Sequence, residues 1–171
     1  MDDFSQIDIL SKRNDGSLFV FGDSNKKRKH SIIFGRCFNN QVLDMMEFDV
    51  KEHKPMNSSG KYEAGIGHRP CMVFQGDLFV NNDDFKMMAN IFLDFFKGKR
   101  VEKINLLGLE HVIVVSAISE EVIHFGRYSI QYSKDSKSDG KSPHVELVDI
   151  GPTMELKVCR HVWASDDNRR P

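Results

Sequence analysis

The sequence predicts an α/β protein of the α+β type, in which a mixed sheet carries few helices. One segment, between Phe85 and Phe96, has the apolar periodicity of a helix. Two runs rich in β-branched and aromatic residues, from His111 to Ile118 and from Val122 to Tyr132, have the composition of paired strands. A length of 171 residues suits one compact domain, although two small subdomains would also fit.

The predicted helix has start and stop signals in the sequence. Asn82 or Asp83 can cap its first turn, and Gly98 is placed to end it. The apolar residues that recur on one face are Phe85, Met88, Phe92 and Phe95. This face is predicted to anchor the core, so core packing is favoured over base stacking for these phenylalanines.

The two later runs predict a hairpin whose turn lies at Ser119 to Glu121. The apolar alternation changes phase at Gly126, which predicts a β-bulge there. Ser133 to Pro143 is rich in Lys, Ser, Asp and Gly and predicts a loop. A strand is expected to begin at Val145, and another to follow Gly151–Pro152, where apolar and polar residues alternate.

The N-terminal half of the chain predicts shorter elements. Leu18 to Phe21 predicts a strand, and Ser31 to Arg36 predicts a second strand closed by its glycine. Gln41 to Phe48 predicts a helix, because its apolar residues have roughly helical spacing. Lys51 to Pro70 contains many Gly, Pro and Ser residues and predicts a long surface loop, which leads into a buried strand at Cys71 to Phe74.

Composition limits the classes of function. The chain has 24 Lys and Arg against 25 Asp and Glu, a formal charge of -1, so nucleic-acid binding has to come from local patches. The cysteines, Cys37, Cys71 and Cys159, fit neither a disulfide framework nor a CxxC metal site and favour a reducing compartment. There is no apolar run of membrane-spanning length and no signal-peptide pattern, so neither membrane insertion nor secretion is expected.

The motifs of catalysis and cofactor binding are missing from the sequence. No GxSxG elbow, HExxH pair or phosphate-binding glycine loop occurs, and Gly65 and Gly67 match only a fragment of such a loop. The adjacent Asp83 and Asp84 are explained by helix capping. We therefore expect no enzyme activity, no metal site and no cofactor.

Two basic clusters are the better candidates for function. One precedes a predicted strand and comprises Lys26, Lys27, Arg28 and Lys29; the other follows the predicted helix and comprises Lys97, Lys99, Arg100 and Lys103. Local positive charge of this kind is what contact with RNA phosphates requires. The alternative interpretation is that both clusters are solvated loops that keep the protein soluble.

Several ordered segments carry a resemblance to a known family. They are Asn25 to Arg36, Val42 to Glu47, Pro70 to Gly76, Phe92 to Gly98, Val101 to Val112 and Gly151 to Leu156, followed by Arg160 and Ala164 to Asp167. Together they resemble the Brix domain as it occurs in the ribosome production factor two family. The resemblance covers roughly Ser11 to Asp167, which is nearly the whole chain.

This resemblance implies a Brix fold of two pseudo-duplicated α/β halves, each similar to the anticodon-binding domain of certain aminoacyl-tRNA synthetases. We place the Brix domain at residues 31–165, with halves at roughly 31–100 and 101–165. Residues 1–30 are then an N-terminal extension with a basic loop, and residues 166–171 a frayed end. The family's long basic extensions are absent, and Lys29 stands where a proline is usual, so we expect a trimmed or shortened member.

The resemblance also implies a function and partners. Members act in the nucleolus as non-enzymatic assembly factors. With a small partner, the regulator of ribosome synthesis, they bring 5S ribosomal RNA and its two ribosomal proteins to the large-subunit precursor, the pre-60S particle. A scaffold that binds only protein is the alternative, and an RNA-processing enzyme would need clustered carboxylates that the spacing does not provide.

The RNA-binding candidates combine the basic clusters with one residue from a family motif. They are Lys26, Lys27, Arg28, Lys29, Arg36, Lys97, Lys99 and Arg100. Gly35–Arg36 and Gly151–Pro152 match positions that mark the family. We expect both to form structural turns in preference to RNA contacts. The basic segment at Lys26 to Arg28 is the stronger RNA candidate.

Overall fold

A computed structural model describes residues 4–24, 26, 30–56, 68–98, 102–105, 108–133 and 144–164. Within them the helices are α1 (Ser5–Asn14), α2 (Leu78–Asn81) and α3 (Asp83–Phe96). The strands are β1 (Leu18–Asp23), β2 (Ser31–Phe38), β3 (Gln41–Lys54), β4 (Cys71–Gln75), β5 (His111–Ala117), β6 (Val122–Ser133) and β7 (His144–Val162). None of the described helices combines the length and apolar character needed to span a membrane.

The strands form one mixed seven-stranded sheet in the order β1-β2-β3-β7-β6-β5-β4. All neighbours are antiparallel except β4 and β5, which are parallel. This architecture confirms the α/β prediction. Strands from before and after residue 100 pair directly, β3 with β7 and β4 with β5; the division into halves at 31–100 and 101–165 stays a prediction.

Helix α3 covers one face of the sheet and confirms the predicted helix. The side chain of Asn82 caps its start by accepting hydrogen bonds from the amides of Asp84, at 2.9 Å, and Phe85, at 3.3 Å. Its buried residues are Phe85, Met88, Ile91 and Phe92. They pack against a cluster from five strands that includes Phe34, Met46, Phe48, Ile113, Val115, Ile123, Phe125 and Leu156. The core therefore lies between α3 and the sheet.

The hairpin of β5 and β6 is confirmed. Its turn is held by the Ser119 hydroxyl oxygen, which accepts from the amides of Glu121, at 3.3 Å, and Val122, at 3.2 Å. The predicted bulge is confirmed as well, because the register between β6 and β7 shifts between Gly126 and Tyr128. The phase change in the sequence marked this irregularity correctly.

The helix predicted at Gln41 to Phe48 is wrong, because this segment begins the long strand β3. Met45 and Met46 are adjacent and both fully buried, at 0% and 1% exposure, so they pack on opposite faces of the sheet. A strand buried on both faces loses the polar and apolar alternation that identifies a strand in a sequence. Its apolar residues then fall at spacings that a helix would also produce.

Both predicted structural turns are wrong, because both dipeptides lie inside strands. Gly35 is in the middle of β2, where a Cβ would overlap the ring of Phe19 on β1. Gly151 is in the middle of β7, where a Cβ would lie 2.5 Å from the carbonyl oxygen of Pro55. Gly35 permits a close approach between β1 and β2, whereas Gly151 has a φ of +62° and permits a close approach of the segment that follows β3; neither reverses the chain.

Two further sequence expectations need correction. The loop predicted from Lys51 begins later, because β3 continues to Lys54; residues 57–67 of that loop lie outside the described residues. The strand predicted at Cys71 is present as β4, but it is an edge strand and its Val73 is 42% exposed. The loop predicted after Ser133 falls on residues 134–143, which also lie outside the described part of the chain.

Helix α1, which the sequence did not predict, packs on the face opposite α3. In β2 the side chains of Phe34 and Arg36 reach α3, so Gly35 between them faces the other way. Phe19 covers Gly35 and lines a groove together with Ile7 and Leu10 of α1. The amide of Val42 donates to the Asp8 carboxylate at 3.0 Å and ties α1 to β3.

Candidate nucleic-acid interface

The predicted RNA-binding residues that the structure describes lie in different elements rather than together. Lys26 is exposed between β1 and β2, and Lys97 is exposed at the end of α3, whereas Arg36 lies within β2. The remaining candidates, Lys27, Arg28, Lys29, Lys99 and Arg100, lie outside the described residues. The described candidates therefore occupy three distinct environments.

Arg36 binds two carboxylates of its own chain. Its Nε donates to Asp44 Oδ1 at 2.8 Å, and its Nη2 pairs with the other oxygen of the same carboxylate. Its Nη1 donates to Asp94 Oδ2 at 2.5 Å and to Asn90 Oδ1 at 2.6 Å, both on α3. This fork geometry suits a guanidinium and fastens α3 to β2 and β3.

The protonated state of Arg36 is strongly stabilised. The hydrogen bond to Asp44 raises the pKa of the guanidinium above its ordinary value, and it outweighs the opposing effect of burial. Asp44 is fully buried, whereas the side chain of Arg36 is 14% exposed. A phosphate would have to compete with two carboxylates for this group, so the geometry gives Arg36 a structural role.

Lys97 lies at the C-terminal end of α3, where positive charge is favoured. Its amide closes the helix by donating to the Leu93 carbonyl at 2.8 Å, and Gly98 follows with a φ of +64°. A Cβ on Gly98 would lie 3.3 Å from Nε of Arg69, so the Arg69 side chain lies against the helix end. Cations here complement the negative end of the helix dipole.

Arg69 was missed by the sequence reasoning, because it lies at the end of a breaker-rich segment and far from Lys97 along the chain. The neighbouring His68 places Nδ1 2.9 Å from Glu110 Oε2. The signal that could have found Arg69 is its position just before Pro70 and a strand that enters the sheet beside α3. We call Arg69 and Lys97 the α3-end pair.

His111, at the start of β5, is a buried histidine whose imidazole is affected by the charges of Arg127 and Glu110. It is 5% exposed, and burial is the main cause that lowers the pKa of its imidazole, with the positive charge of Arg127 acting in the same direction. The negative charge of Glu110 opposes this shift only in part. Arg127 itself donates from Nη1 to Met56 Sδ at 3.5 Å.

Lysines on the face opposite α3 are mostly neutralised by acids. Lys54 Nζ lies 2.7 Å from Asp149 Oδ2, and Lys157 Nζ lies 3.1 Å from Glu121 Oε2. The bond from Lys54 is the main cause that lowers the pKa of Asp149, and the Gly151 amide contributes to the same shift. The positive charge of both lysines is therefore paired within the chain.

No group of three or more His, Cys, Asp or Glu residues able to hold a metal ion occurs within the described residues. The three cysteines are free thiols. Burial raises the pKa of Cys37; the pKa of Cys159, which is exposed, is raised by partial desolvation of the thiol and by its hydrogen bond to Asp49. A raised pKa disfavours the thiolate, which is the nucleophilic form of cysteine. These two thiols lack the activation expected of a catalytic nucleophile.

The family model of the Brix domain matches residues 1–160. The chain therefore belongs to the Brix-domain family, as its sequence motifs predicted. Its relatives include proteins named ribosome production factor 2 homolog, and that of Drosophila melanogaster is 34% identical over 166 residues. This match covers 97% of the chain and 51% of the relative.

Relatives from other organisms agree with this assignment. The Homo sapiens protein of the same name is 33% identical over 97% of the chain and 53% of its own length. The Schizosaccharomyces pombe protein is 33% identical over 97% of the chain and 54% of its own length. The chain thus spans about half the length of these relatives.

Among solved structures, a probable ribosomal biogenesis protein from Aeropyrum pernix K1 superposes with a TM-score of 0.49 and 11% identity, over 91% of the chain and 75% of that structure.

Proposed function

We propose that this chain acts in ribosome biogenesis as a non-enzymatic assembly factor. The observation that carries the proposal is the match to relatives named for ribosome production, at 34% identity over nearly the whole chain. In finer detail, the chain works in the nucleolus with a small protein partner, the regulator of ribosome synthesis. Together they recruit 5S ribosomal RNA and its two ribosomal proteins to the pre-60S particle.

RNA contact in this proposal is made to phosphates rather than to bases. The α3-end pair supports it, because two exposed cations converge at one helix end. Lys26 supports a second contact, because it is exposed between β1 and β2. Phosphate contacts position a protein on RNA without reading its sequence. Further RNA candidates are adjacent in the sequence: Lys27, Arg28 and Lys29 follow Lys26, and Lys99 and Arg100 follow Lys97 and Gly98. Arg36 is left out because its guanidinium is bound by Asp44 and Asp94.

The test is binding of the purified chain to 5S ribosomal RNA across a salt series. Replacing both Arg69 and Lys97 by Ala removes two cations, so the slope of log K against log salt should fall in magnitude by about 1.5. Lys26→Ala should lower it by roughly half as much. Lys86→Ala is the matched control, because Lys86 is also exposed on α3 but lies in its first turns beside Asp83.

An unchanged salt slope in the double variant would remove the α3-end pair from the interface. Equal losses in the double variant and in Lys86→Ala would indicate a diffuse charge effect rather than a site. RNA binding that requires the small partner and is insensitive to all three changes would favour the second candidate function.

That second candidate is a scaffold in pre-ribosome assembly that binds protein alone. It is favoured by one observation: the Arg36 guanidinium, within a motif that marks the family, is bound by Asp44 and Asp94 of the same chain. In this alternative the charge of Arg36 stabilises the fold, and the partner makes the contacts with RNA. The salt series with and without the partner separates the two functions.

A further inference from the structure

The sheet face that α3 covers becomes polar beyond the end of that helix. The ring of Phe96, on the last turn of α3, packs on Phe125 of β6 with ring centroids 5.6 Å apart. Arg127 is the next residue of β6 on the same face, because side chains alternate along a strand. One pair further along the ladder, His111 of β5 lies opposite Ser129 on this face. Arg127 and His111 therefore lie on the sheet just past the C-terminal end of α3.

Neither of these two side chains has a partner that matches its bonding capacity. Arg127 is half-buried, and the hydrogen bond that it makes within the described residues runs from Nη1 to the sulfur of Met56 at 3.5 Å. A thioether is a weak acceptor, whereas a guanidinium has five N–H donors. His111 is 5% exposed, and among the described residues its Nδ1 is buried without a hydrogen-bond partner. Buried polar groups are nearly always paired, so these two groups mark a site that the unbound chain leaves incomplete.

The charges around this incomplete site favour an anion. Arg127 acts on the imidazole of His111 from one side, and His68, which precedes Arg69 of the α3-end pair, acts on it as well. The site is therefore close enough to the α3-end pair to share its electrostatic environment. Arg127 adds one positive charge to the two of that pair.

The negative groups in this region are fewer. Glu110 acts on His111, and its Oε2 lies 2.9 Å from Nδ1 of His68. Glu146 is exposed and lies farther along β7. The C-terminal end of α3 contributes about half a negative charge. The three cations outweigh Glu110 and the helix end together, so the balance at the site is positive.

We propose that Arg127 and His111 bind one phosphate of the RNA by direct hydrogen bonds, as the inner part of the contact that the α3-end pair makes. Arg127 exchanges the sulfur of Met56 for two phosphate oxygens, because a guanidinium matches a phosphate in fork geometry. The neutral imidazole of His111 donates its Nδ1–H to the same phosphate. Nδ1 is covered in the unbound chain, so this second bond forms with a side-chain rearrangement on binding. The inference rests on the proposed function for RNA as the ligand.

This site differs from the α3-end pair in what it contributes to binding. Exposed cations release counterions from the RNA and set the salt dependence, whatever their exact geometry. A half-buried guanidinium beside a neutral imidazole contributes directed hydrogen bonds, which a lysine of the same charge does not reproduce. Changes at Arg127 and His111 that keep the charge should therefore weaken binding and leave the salt dependence as it is.

The test is binding of 5S ribosomal RNA by the full chain with changes at Arg127. Arg127→Lys keeps the charge and loses the fork, so Kd should rise about tenfold while the slope of log K against log salt is unchanged. Arg127→Met removes the charge as well, so the slope should also fall in magnitude by about 0.75. Lys157→Met is the matched control, because it removes a cation on the opposite face, where Lys157 pairs with Glu121. It should change Kd by less than roughly twofold.

The contribution of His111 is followed by nitrogen NMR of the imidazoles in the unaltered chain. RNA should move the Nδ1 resonance of His111, whereas His124, whose Nε2 lies 3.2 Å from the Tyr128 hydroxyl on the other face, should keep its resonances. His111→Phe should raise Kd about fivefold without changing the salt slope, because a neutral imidazole carries no charge. Circular dichroism confirms that each variant is folded. The NMR result decides the role of His111 if His111→Phe does not fold.

Three results would overturn the proposal. The first is an unchanged Kd in Arg127→Lys, and the second is a His111 Nδ1 resonance that RNA does not move. The third is a glutamate-rich peptide that competes with the RNA in the unaltered chain and not in Arg127→Lys, which would identify a protein carboxylate as the ligand.

The double variant of Arg69 and Lys97 is measured in parallel to separate this inference from the RNA proposal. If its salt slope falls as expected and Arg127→Lys has no effect, this inference fails and the RNA proposal stands. If the unaltered chain binds no RNA, the RNA proposal itself fails.

Discussion

The two longer helices pack on opposite faces of one sheet and complete their interfaces to different extents. Four residues of α3 are buried in the core, whereas the buried residue of α1 is Ser11. The apolar residues Ile9 and Leu10 of α1 remain more than half exposed. The buried contacts that stabilise the fold are therefore concentrated on the α3 side, while the α1 side leaves apolar side chains exposed.

The cations of the two regions differ in the same way. On the α3 side, Arg36 is locked between carboxylates and contributes to the fold. At the α3 end and along the α1 side, Lys97, Lys12 and Arg13 extend into solvent. A charged side chain that is paired inside the molecule contributes to the fold, whereas an exposed charged side chain can contribute to recognition.

The comparison predicts its largest effect in the aromatic core. Phe92 is 1% exposed and contacts Phe34, Phe48 and Phe125, so Phe92→Ala should lower the free energy of unfolding by about 3–5 kcal/mol. Leu10→Ala, on the α1 side, should cost less than about 1 kcal/mol. Urea denaturation of both variants provides the measurement. Equal losses would mean that both helices contribute alike to stability and would contradict the concentration of stability on the α3 side.

The same contrast explains how much of the fold the sequence could predict. Helix α3 was predictable because it has one apolar face, a capping Asn82 and a terminating Gly98. Helix α1 was not, because its weak apolar face stays largely in solvent and its start has no side-chain cap. The periodicity of apolar residues predicts a helix or strand well when one of its faces is buried and the other is exposed to solvent.

The local sequence pattern could not predict the central strand β3 or the tertiary contacts, for physical reasons. Strand β3 read as a helix because Met45 and Met46 are buried on both sides of it. Gly35 was predicted to form a turn, because the Phe19 ring that leaves no room for a Cβ is evident only once β1 and β2 pair. Arg69 joins Lys97 through tertiary packing, which no spacing in the sequence records. The family motifs predicted the class of protein but not this geometry.

A second effect tests the ionic contacts on the α3 side. Asp44→Ala leaves the Arg36 guanidinium beside a space once filled by its buried partner, so it should destabilise the fold by about 3 kcal/mol. Asp94 is half exposed, so Asp94→Ala should cost less than about 1 kcal/mol. The free energy of unfolding of each variant is compared at low and high salt. A larger cost for Asp94 than for Asp44 would contradict the structural role of the buried pair.

The smallest effect concerns the pH dependence of the α3 side. Burial and the charge of Arg127 lower the pKa of His111 below its ordinary value of 6.5, so the unfolded chain takes up a proton at a higher pH than the folded chain does. The stability that the neutral imidazole confers is complete above 6.5 and is lost as the pH falls through the lowered value. His111→Phe should therefore make unfolding less pH-dependent between neutral and mildly acidic solution.

The control for this prediction is Ser129→Ala, because Ser129 lies opposite His111 in the ladder of β5 and β6 and carries no titrating group in this range. It should change stability by a similar amount at each pH and leave the slope unchanged. Thermal unfolding across the pH series supplies the slope for each variant. If His111→Phe retains the full slope, the acid sensitivity arises elsewhere, and the α3 side owes its stability to apolar and ionic contacts rather than to a neutral buried histidine.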